Sequence, residues 1–465
     1  MSERTPAIVG RLRASLGDAV VTDPATLEGR RHDYWVLSHI RDRVGEAAPA
    51  PACVVRPRGV GDVQTTVRAC VEAGVALIPF GLGSGVVGGV VASTGAVVLD
   101  MSAMATVRFI DSTDLLAAFD AGVCGADAEA AVAEHGLTIG HWPQSLAVST
   151  VGGWVATRAS GQFSTAYGNI EDMIFSIEAV LANGEVVTLG RGPRASAGPD
   201  LRALLMGSEG ALGVITGVTL SVRRAAARRA FSVFEAGTMA SGIELQRQIV
   251  QAGWRPPVMR LYDERESRRL DARASACVLL MIHEGAPEVV EIERAAVGAL
   301  AQAAGATPAP LDIAEHWLDH RNSVPVWDVF LQRNLVVDTV EVSAPWSAIG
   351  AVYESATARL KGLPGLIAGS AHSSHAYRSG LNLYFTFAIQ CSAPGEMEPA
   401  YLAAWDQIMQ ATAEHGGSLA HHHGIGRVRR GWLETELGVQ GVGMLRAVKQ
   451  ALDPAGVFNP GVLIP

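Results

Sequence analysis

Paired cysteines are missing from this sequence. The five that occur, Cys53, Cys70, Cys124, Cys277 and Cys391, are scattered with no C-x-x-C among them. That excludes a disulfide framework and reads as reduced thiols in a cytoplasmic protein. Positive charge is also short. A net charge of −9 disfavours nucleic acid or an anionic membrane as the main partner, while leaving room for a local basic pocket. The N-terminal stretch MSERTPAIVGRLRASLGDAV has charges throughout and no apolar core, so no signal peptide is expected. There is no fixed-period repeat and no low-complexity segment. Charged residues make up 18% and hydrophobic ones 49%, the balance of an ordered globular chain. At 465 residues the chain exceeds a single core, so two or more domains are expected. One uncharged run, LIPFGLGSGVVGGVVASTGAVVL at 77–99, is long enough to span a bilayer. Its six glycines and one proline suit a tight loop between strands instead.

The pattern that remains is α+β. ACVVRP, VALIPFG, GAVVLDMS and LLAAFDAGV read as strands, and GVGDVQTTVRACVEAG and GADAEAAVAEHG as helices. FSIEAVLANGEVVTLG reads as a hairpin, with Asn183-Gly184 as a type I′ turn. The first unit ends near residue 224, where RRAAARRA changes the composition. A strand–helix alternation follows (RAFSVFEAG, MASGIELQRQIVQAG, VMRLYDE, CVLLMIHEG, EIERAAVGALAQAAG), then long helical stretches between 311 and 361 and a strand LNLYFTFAIQ. The tail is a helix stopped at Asp453-Pro454, a loop and a short terminal strand.

Glycine places the chemistry. PFGLGSGVVGG follows a buried strand, and such glycines let backbone N–H groups close around an anion. It is not a Rossmann G-x-G-x-x-G, because an apolar strand-like run follows it where a helix should open. By itself the loop is equally compatible with a turn that holds no ligand. QSLAVSTVGGWVATRASGQFSTAYGNIEDMI packs small residues and hydroxyls, Ser145, Ser149, Thr150, Thr157 and Ser160 among them, that could bond a neutral ring system. MGSEGALGVIT is a third glycine-rich turn.

These blocks, together with LDPAGVFNPG, resemble the FAD-binding domain of the PCMH-type (vanillyl-alcohol oxidase) flavoproteins. Within that family STVGGWVATRASG, YGNIEDM, GPRASAGPDL, EVSAPW, HHHGIGRVRRGWL and GVGMLRAVKQALDP are most similar to the alkyldihydroxyacetonephosphate synthases, with thinner support through 225–330. The resemblance implies a two-part FAD-binding domain at 1–225, an inserted α/β cap of the FAD-linked oxidase C-terminal type at 226–445, and a tail at 446–465 that returns to the first. Pro79, Phe80, Gly81, Leu82, Gly83, Ser84 and Gly85 would hold the FAD pyrophosphate. Gln144, Ser145, Leu146, Ala147, Val148, Ser149, Thr150, Thr157, Arg158, Ala159 and Ser160 would line the flavin, with Glu209, Gly210, Ala211, Leu212, Gly213, Val214 and Ile215. Ser84 stands where some relatives carry a histidine bonded to FAD, which implies non-covalent binding. Leu82 interrupts the usual triple glycine, at a position where only backbone contacts are needed.

Three consecutive histidines, His421, His422 and His423, precede a Gly-x-Gly turn and the arginines Arg427, Arg429 and Arg430. On a strand they would alternate faces, so at most two could reach one site. The arginines read as a solvated face or as a phosphate partner. In the related 2-hydroxy-acid dehydrogenases a metal is held by two histidines and a glutamate. Tyr377, Tyr384 and His422 stand at those positions here, so no metal is expected. His372 and His375 are three apart on a loop, a spacing that seldom makes a metal site. The synthase resemblance implies that Tyr384 is the acid/base with His421, His422 or His423 beside it, and that Arg260 contributes. Arg333, Tyr377 and His372 are the expected substrate contacts. Alternation in LNLYFTF puts Leu383, Phe385 and Phe387 on the face opposite Tyr384. His141 reads as a packed loop residue.

The expected activity is exchange of an acyl for an alkyl group through a flavin N5 adduct, in ether-lipid synthesis. The alternative is an FAD-dependent oxidase or dehydrogenase of an alcohol or 2-hydroxy acid without a metal. The expected partner is a small lipid-like or phosphate-bearing molecule and not nucleic acid. Peripheral membrane contact through exposed apolar cap loops, and a homodimer, stay open.

Overall fold

The structure, a computed structural model, describes residues 4–464. In the N-terminal half a four-stranded sheet runs Val20–Val21, Cys53–Val55, Val97–Asp100, Leu77–Phe80, its last three strands parallel. The helix Val60–Ala73 makes the crossover between two of them. Gly74 ends it in the left-handed conformation (φ 61°). A five-stranded antiparallel sheet, ordered Val107–Asp111, Leu116–Asp120, Val214–Ser221, Ile174–Val180, Val186–Leu189, packs into the same core. The uncharged run 77–99 supplies two buried strands and the loop between them. Among the described residues no helix is long and apolar enough to cross a membrane.

The hairpin at 174–189 forms, but its turn differs from the expectation. Only Gly184 has positive φ (77°), and its N–H donates to the Leu181 carbonyl at 2.8 Å. A type I′ turn needs positive φ at Asn183 as well. The loop is one residue longer, 182–184, with the Leu181 N–H donating to the Glu185 carbonyl at 3.0 Å and the left-handed glycine forming a bulge.

The C-terminal half is built on a seven-stranded antiparallel sheet. Its order is Thr307–Pro308, Arg228–Glu235, Val278–Gly285, Val258–Tyr262, Leu366–Ser373, Gly380–Gln390, Leu335–Pro345. The helical stretch expected at 311–361 is interrupted by the last of these strands. LVVDTVEVSAP buries Val336, Asp338, Val340, Val342 and Ala344 and, Glu341 apart, leaves the residues between them less buried, a period of two that excludes a helix. Val340 and Val342 point into the core together with Leu383, Phe385 and Phe387.

The tail helix Leu433–Leu452 is followed by a return to the N-terminal half. Val457 and Phe458 enter its core, and the expected terminal strand is reduced to one parallel bridge, Leu77 to Phe458.

Candidate active site

Strand register assembles the site. Tyr262 pairs with His372, His372 with Tyr384, and Tyr384 with Glu341, so one row crosses four adjacent strands. Directly paired residues point to the same face, as do residues two apart, which adds Arg260 and Asn382. A one-residue slip would turn the row into the core.

The histidines lie in an irregular loop and not on a strand, so they need not alternate. Their backbone wraps the fully buried Glu341 carboxylate, which accepts the N–H groups of His421 (3.2 Å), His422 (3.1 Å) and His423 (2.8 Å). Arg429, also fully buried, pairs with the same carboxylate and donates to the Gly424 and Glu341 carbonyls, its guanidinium 4.9 Å from the Trp405 ring. Burial alone would raise Glu341. Arg429 and then His423 overcome it and hold the carboxyl well below the usual range. Arg429 is therefore neither solvated nor a phosphate partner. Arg427 and Arg430 are bonded to the carbonyls of Pro460 and Gly461.

The three rings fan out from this nest. His421 Nε2 lies 2.6 Å from the Tyr377 hydroxyl, and His422 Nε2 lies 3.0 Å from the Tyr384 hydroxyl. The two Nδ1 atoms are 2.7 Å apart. His423 faces Glu341 at 3.1 Å. On its other side Tyr384 meets His375 Nε2 at 3.2 Å, and His375 Nδ1 meets the Ser164 hydroxyl at 2.6 Å. Burial pushes His421 down to about 4, and His422 and His375 well below the ordinary imidazole value, so all three are neutral at pH 7. Burial also raises Tyr384, against the pull of Arg260.

The ligand atoms of His375, His421 and His422 lie within 4.8 Å of one another, close enough to suggest a metal. Two nitrogens on a tetrahedral ion at ~2.0 Å stand roughly 3.3 Å apart. The 2.7 Å contact between His421 and His422 is instead the length of an N–H···N hydrogen bond.

Arg260 is 8% exposed, bonds the Tyr262 hydroxyl at 2.7 Å and stacks 5.1 Å from the Trp317 ring. No carboxylate pairs with it among the described residues. His372 stacks on the Tyr384 ring at 4.7 Å and lies 2.6 Å from the Glu266 carboxylate. Arg333 does not join the cluster. It is exposed, beside the Leu335–Gln390 pair at the far end of the strand from Tyr384, on the order of 20 Å away. His141 is fully buried against Trp154, and burial pushes it down to about 3.

The three segments expected to hold FAD converge. A Cβ on Gly81 would lie 2.7 Å from the Thr150 hydroxyl, and one on Gly210 would lie 3.0 Å from Pro79. Glu209 donates its N–H to the Ala156 carbonyl at 2.8 Å. From Gly81 to Gly88 no backbone N–H donates to a protein acceptor among the described residues, and the buried Ser208 hydroxyl has no protein partner. A half-buried run of free donors fits a pyrophosphate. Leu82 and Val148 are exposed, whereas Ala211, Leu212, Val214 and Ile215 are core side chains that offer only backbone. Gln144 reaches the Ser323 carbonyl at 2.5 Å, and Arg158, left-handed at φ 52°, pairs with Glu171. Thr157 bonds back to Gly153, and Ser149 accepts from Trp154.

Glu209 clasps this region to the histidine loop. Its carboxyl accepts the N–H of Ile425 (2.7 Å) and Gly426 (2.9 Å), and burial pushes it up to about 7. Gly426 sits at φ 52°, where a Cβ would lie 2.2 Å from the Val87 carbonyl. Gly426→Ala is expected to cost at least ~2 kcal/mol and to release FAD, read as loss of yellow colour on gel filtration. A variant that keeps full flavin content would contradict this placement.

The sequence reading omitted Glu341 and the proton contacts of His375, Ser164 and Asn169. Glu341 was signalled by the period of two in LVVDTVEVSAP. The others depend on loops meeting across 200 residues and had no local signal.

The family described as "FAD linked oxidases, C-terminal domain" matches residues 225–463, and "FAD binding domain" matches 51–190. The chain is 32% identical to the "uncharacterized FAD-linked oxidoreductase YgcU" of Escherichia coli (strain K12), over 100% of this chain and 99% of that protein. It is 29% identical to the alkyldihydroxyacetonephosphate synthase of Dictyostelium discoideum, over 92% of this chain and 75% of the relative. A solved alkyldihydroxyacetonephosphate synthase superposes with a TM-score of 0.80 at 27% identity, covering 98% of this chain and 84% of that one.

Proposed function

The chain belongs to the FAD-linked oxidase family, and from that premise we propose that it is an alkyldihydroxyacetonephosphate synthase-type enzyme, exchanging an acyl for an alkyl group on a phosphate-bearing substrate. One observation carries the reading: the Tyr384 hydroxyl stands between two neutral imidazoles, near a buried arginine, Arg260, that no carboxylate among the described residues pairs with. Bound FAD supplies the electrophilic centre for the substrate carbon. Arg260 holds the phosphate, since an unpaired buried guanidinium is stabilised by an anion. Tyr384 takes a proton from the substrate carbon that bears the acyloxy group, which leaves as the free acid, and passes its own proton to an imidazole, which suits a phenol too buried to ionise unaided. His372, stacked on its ring, fixes the plane of the phenol.

Anaerobic mixing of the yellow protein with palmitoyl-dihydroxyacetone phosphate tests this. Palmitate release with flavin bleaching, reversed by a long-chain alcohol, supports the exchange. No release, with flavin reduction by an anionic alcohol and recovery in oxygen, assigns a second reading. In that reading the same residues serve a metal-free dehydrogenase or oxidase, which the full-length match to an FAD-linked oxidoreductase favours. Under either reading, Arg260→Met is expected to raise KM for the anionic substrate by roughly 10- to 100-fold, from the loss of one or two charged hydrogen bonds. An unchanged KM would place the anion elsewhere.

A further inference from the structure

The site contains a chain of side chains with very few ways to place its protons. From Tyr377 it runs through His421, His422, Tyr384 and His375 to Ser164, over contacts of 2.6, 2.7, 3.0, 3.2 and 2.6 Å. Asn169 and Ser160 close it into a ring: Asn169 bonds Tyr377 at 3.3 Å and accepts from Ser160 at 2.5 Å, and Ser160 lies 3.2 Å from His375 Nδ1.

A neutral imidazole has one N–H and one bare nitrogen, and a phenol has one O–H. Each contact needs one proton. If His422 Nδ1–H donates to His421 Nδ1, then His421 Nε2–H must donate to Tyr377. Bare His422 Nε2 then accepts from Tyr384, and His375 Nε2–H donates to the Tyr384 oxygen. If His421 Nδ1–H donates instead, every bond from Tyr377 to Ser164 reverses. Tyr377 then donates to His421, His422 Nε2–H donates to Tyr384, and Tyr384 donates to His375. At the His421–His422 contact any other arrangement sets two donors or two bare nitrogens face to face, and at Tyr384 it either turns the O–H out of the chain or leaves a bare nitrogen against the phenol oxygen. Burial of the three imidazoles favours their neutral forms and supports the count.

We propose that these groups form a two-state tautomeric switch, in which Tyr377 is a positioning residue that sets the direction of the Tyr384 hydroxyl through His421 and His422. This rests on Tyr384 being the acid/base group. The two states give the Tyr384 proton opposite outlets. Through His422 it leads to half-buried Tyr377, and through His375 to buried Ser164. Only the first reaches a group with access to solvent.

The test is histidine-selective 15N NMR on the FAD-loaded protein, wild type and two variants. In the wild type, His421 and His422 are expected to be opposite tautomers. The same tautomer at both overturns the switch without requiring any variant to fold. Tyr377→Phe leaves His421 Nε2 without a partner, and an orphaned acceptor is tolerated better than an orphaned donor. The proton therefore moves to His421 Nδ1, and His422, which never touched Tyr377, carries its proton on Nε2. Tyr384→Phe gives the reverse, with His422 protonated on Nδ1. His422 in one tautomer in both variants overturns the proposal. Turnover of Tyr377→Phe is expected to fall roughly tenfold or more with FAD content and KM unchanged, and unchanged turnover removes Tyr377 from the proton path. The tautomer readout needs no substrate, so it stands or falls separately from the proposed reaction.

Discussion

Tyr384→Phe is expected to lower turnover by about 10²- to 10⁴-fold while the purified protein stays yellow, the range lost when a positioned acid/base is removed. The hydroxyl is the one atom of this side chain that reaches both His422 and His375. The ring keeps its stack on His372 and its strand partners, so phenylalanine preserves the row across the sheet. Deleting the hydroxyl leaves the two imidazoles short of one hydrogen bond each, a cost of about 1–3 kcal/mol, too small to unfold the domain. Flavin absorbance, a thermal midpoint and kcat on the same preparation separate the contributions. A variant turning over within a few-fold of the wild type would remove Tyr384 from the chemistry, and with it the proposed roles of its neighbours.

Glu341→Ala is expected to lose about 3–5 kcal/mol of stability, the penalty for stranding a buried charge. The substitution strips Arg429 of its counter-ion and leaves three successive N–H groups without an acceptor. Glu341→Ala with Arg429→Met should recover part of the loss, because the second change removes the stranded charge. Acid should mimic the single variant. A carboxyl held below its ordinary value contributes fully above about pH 4.3 and loses its contribution as pH falls through the folded value. His421, kept neutral by burial with a folded value of about 4, works in the same direction: the unfolded chain binds its proton from about pH 6.5 downward. Protection of the amides of 421–423, taken as exchange relative to the intrinsic rate at each pH, should therefore fall between about pH 6.5 and 4 through His421, and further below that through Glu341, ahead of protection in the strand Gly380–Gln390. A uniform loss of protection across both would contradict a local origin.

Much of the architecture was legible because periodicity survives locally. The crossover helix Val60–Ala73, the strand carrying Tyr384 and the helix at 239–251 all follow from apolar spacing and end signals. The strand Leu335–Pro345 was obscured by the helices on either side of it. The histidines were misplaced in kind, because a run of three suggests an alternating strand. What orders them is a carboxylate about 80 residues earlier, invisible until the sheet forms. The arginines after them read as a solvated face or a phosphate partner for the same reason. Arg333 looked useful by motif proximity, and strand register puts it at the wrong end.

The return of the tail has a consequence for the order of events during synthesis. Leu77 donates its N–H to the carbonyl of Val457, and Asn459 donates to the carbonyls of Gly89 and Glu209. The loop with free N–H donors at 81–88 is therefore braced by residues translated some 370 positions later. A ribosome must pass residue 459 before that loop has its native support, so cofactor capture follows, and does not accompany, elongation of the N-terminal half. On that order the nascent chain is expected to stay colourless until residue 459 has been added.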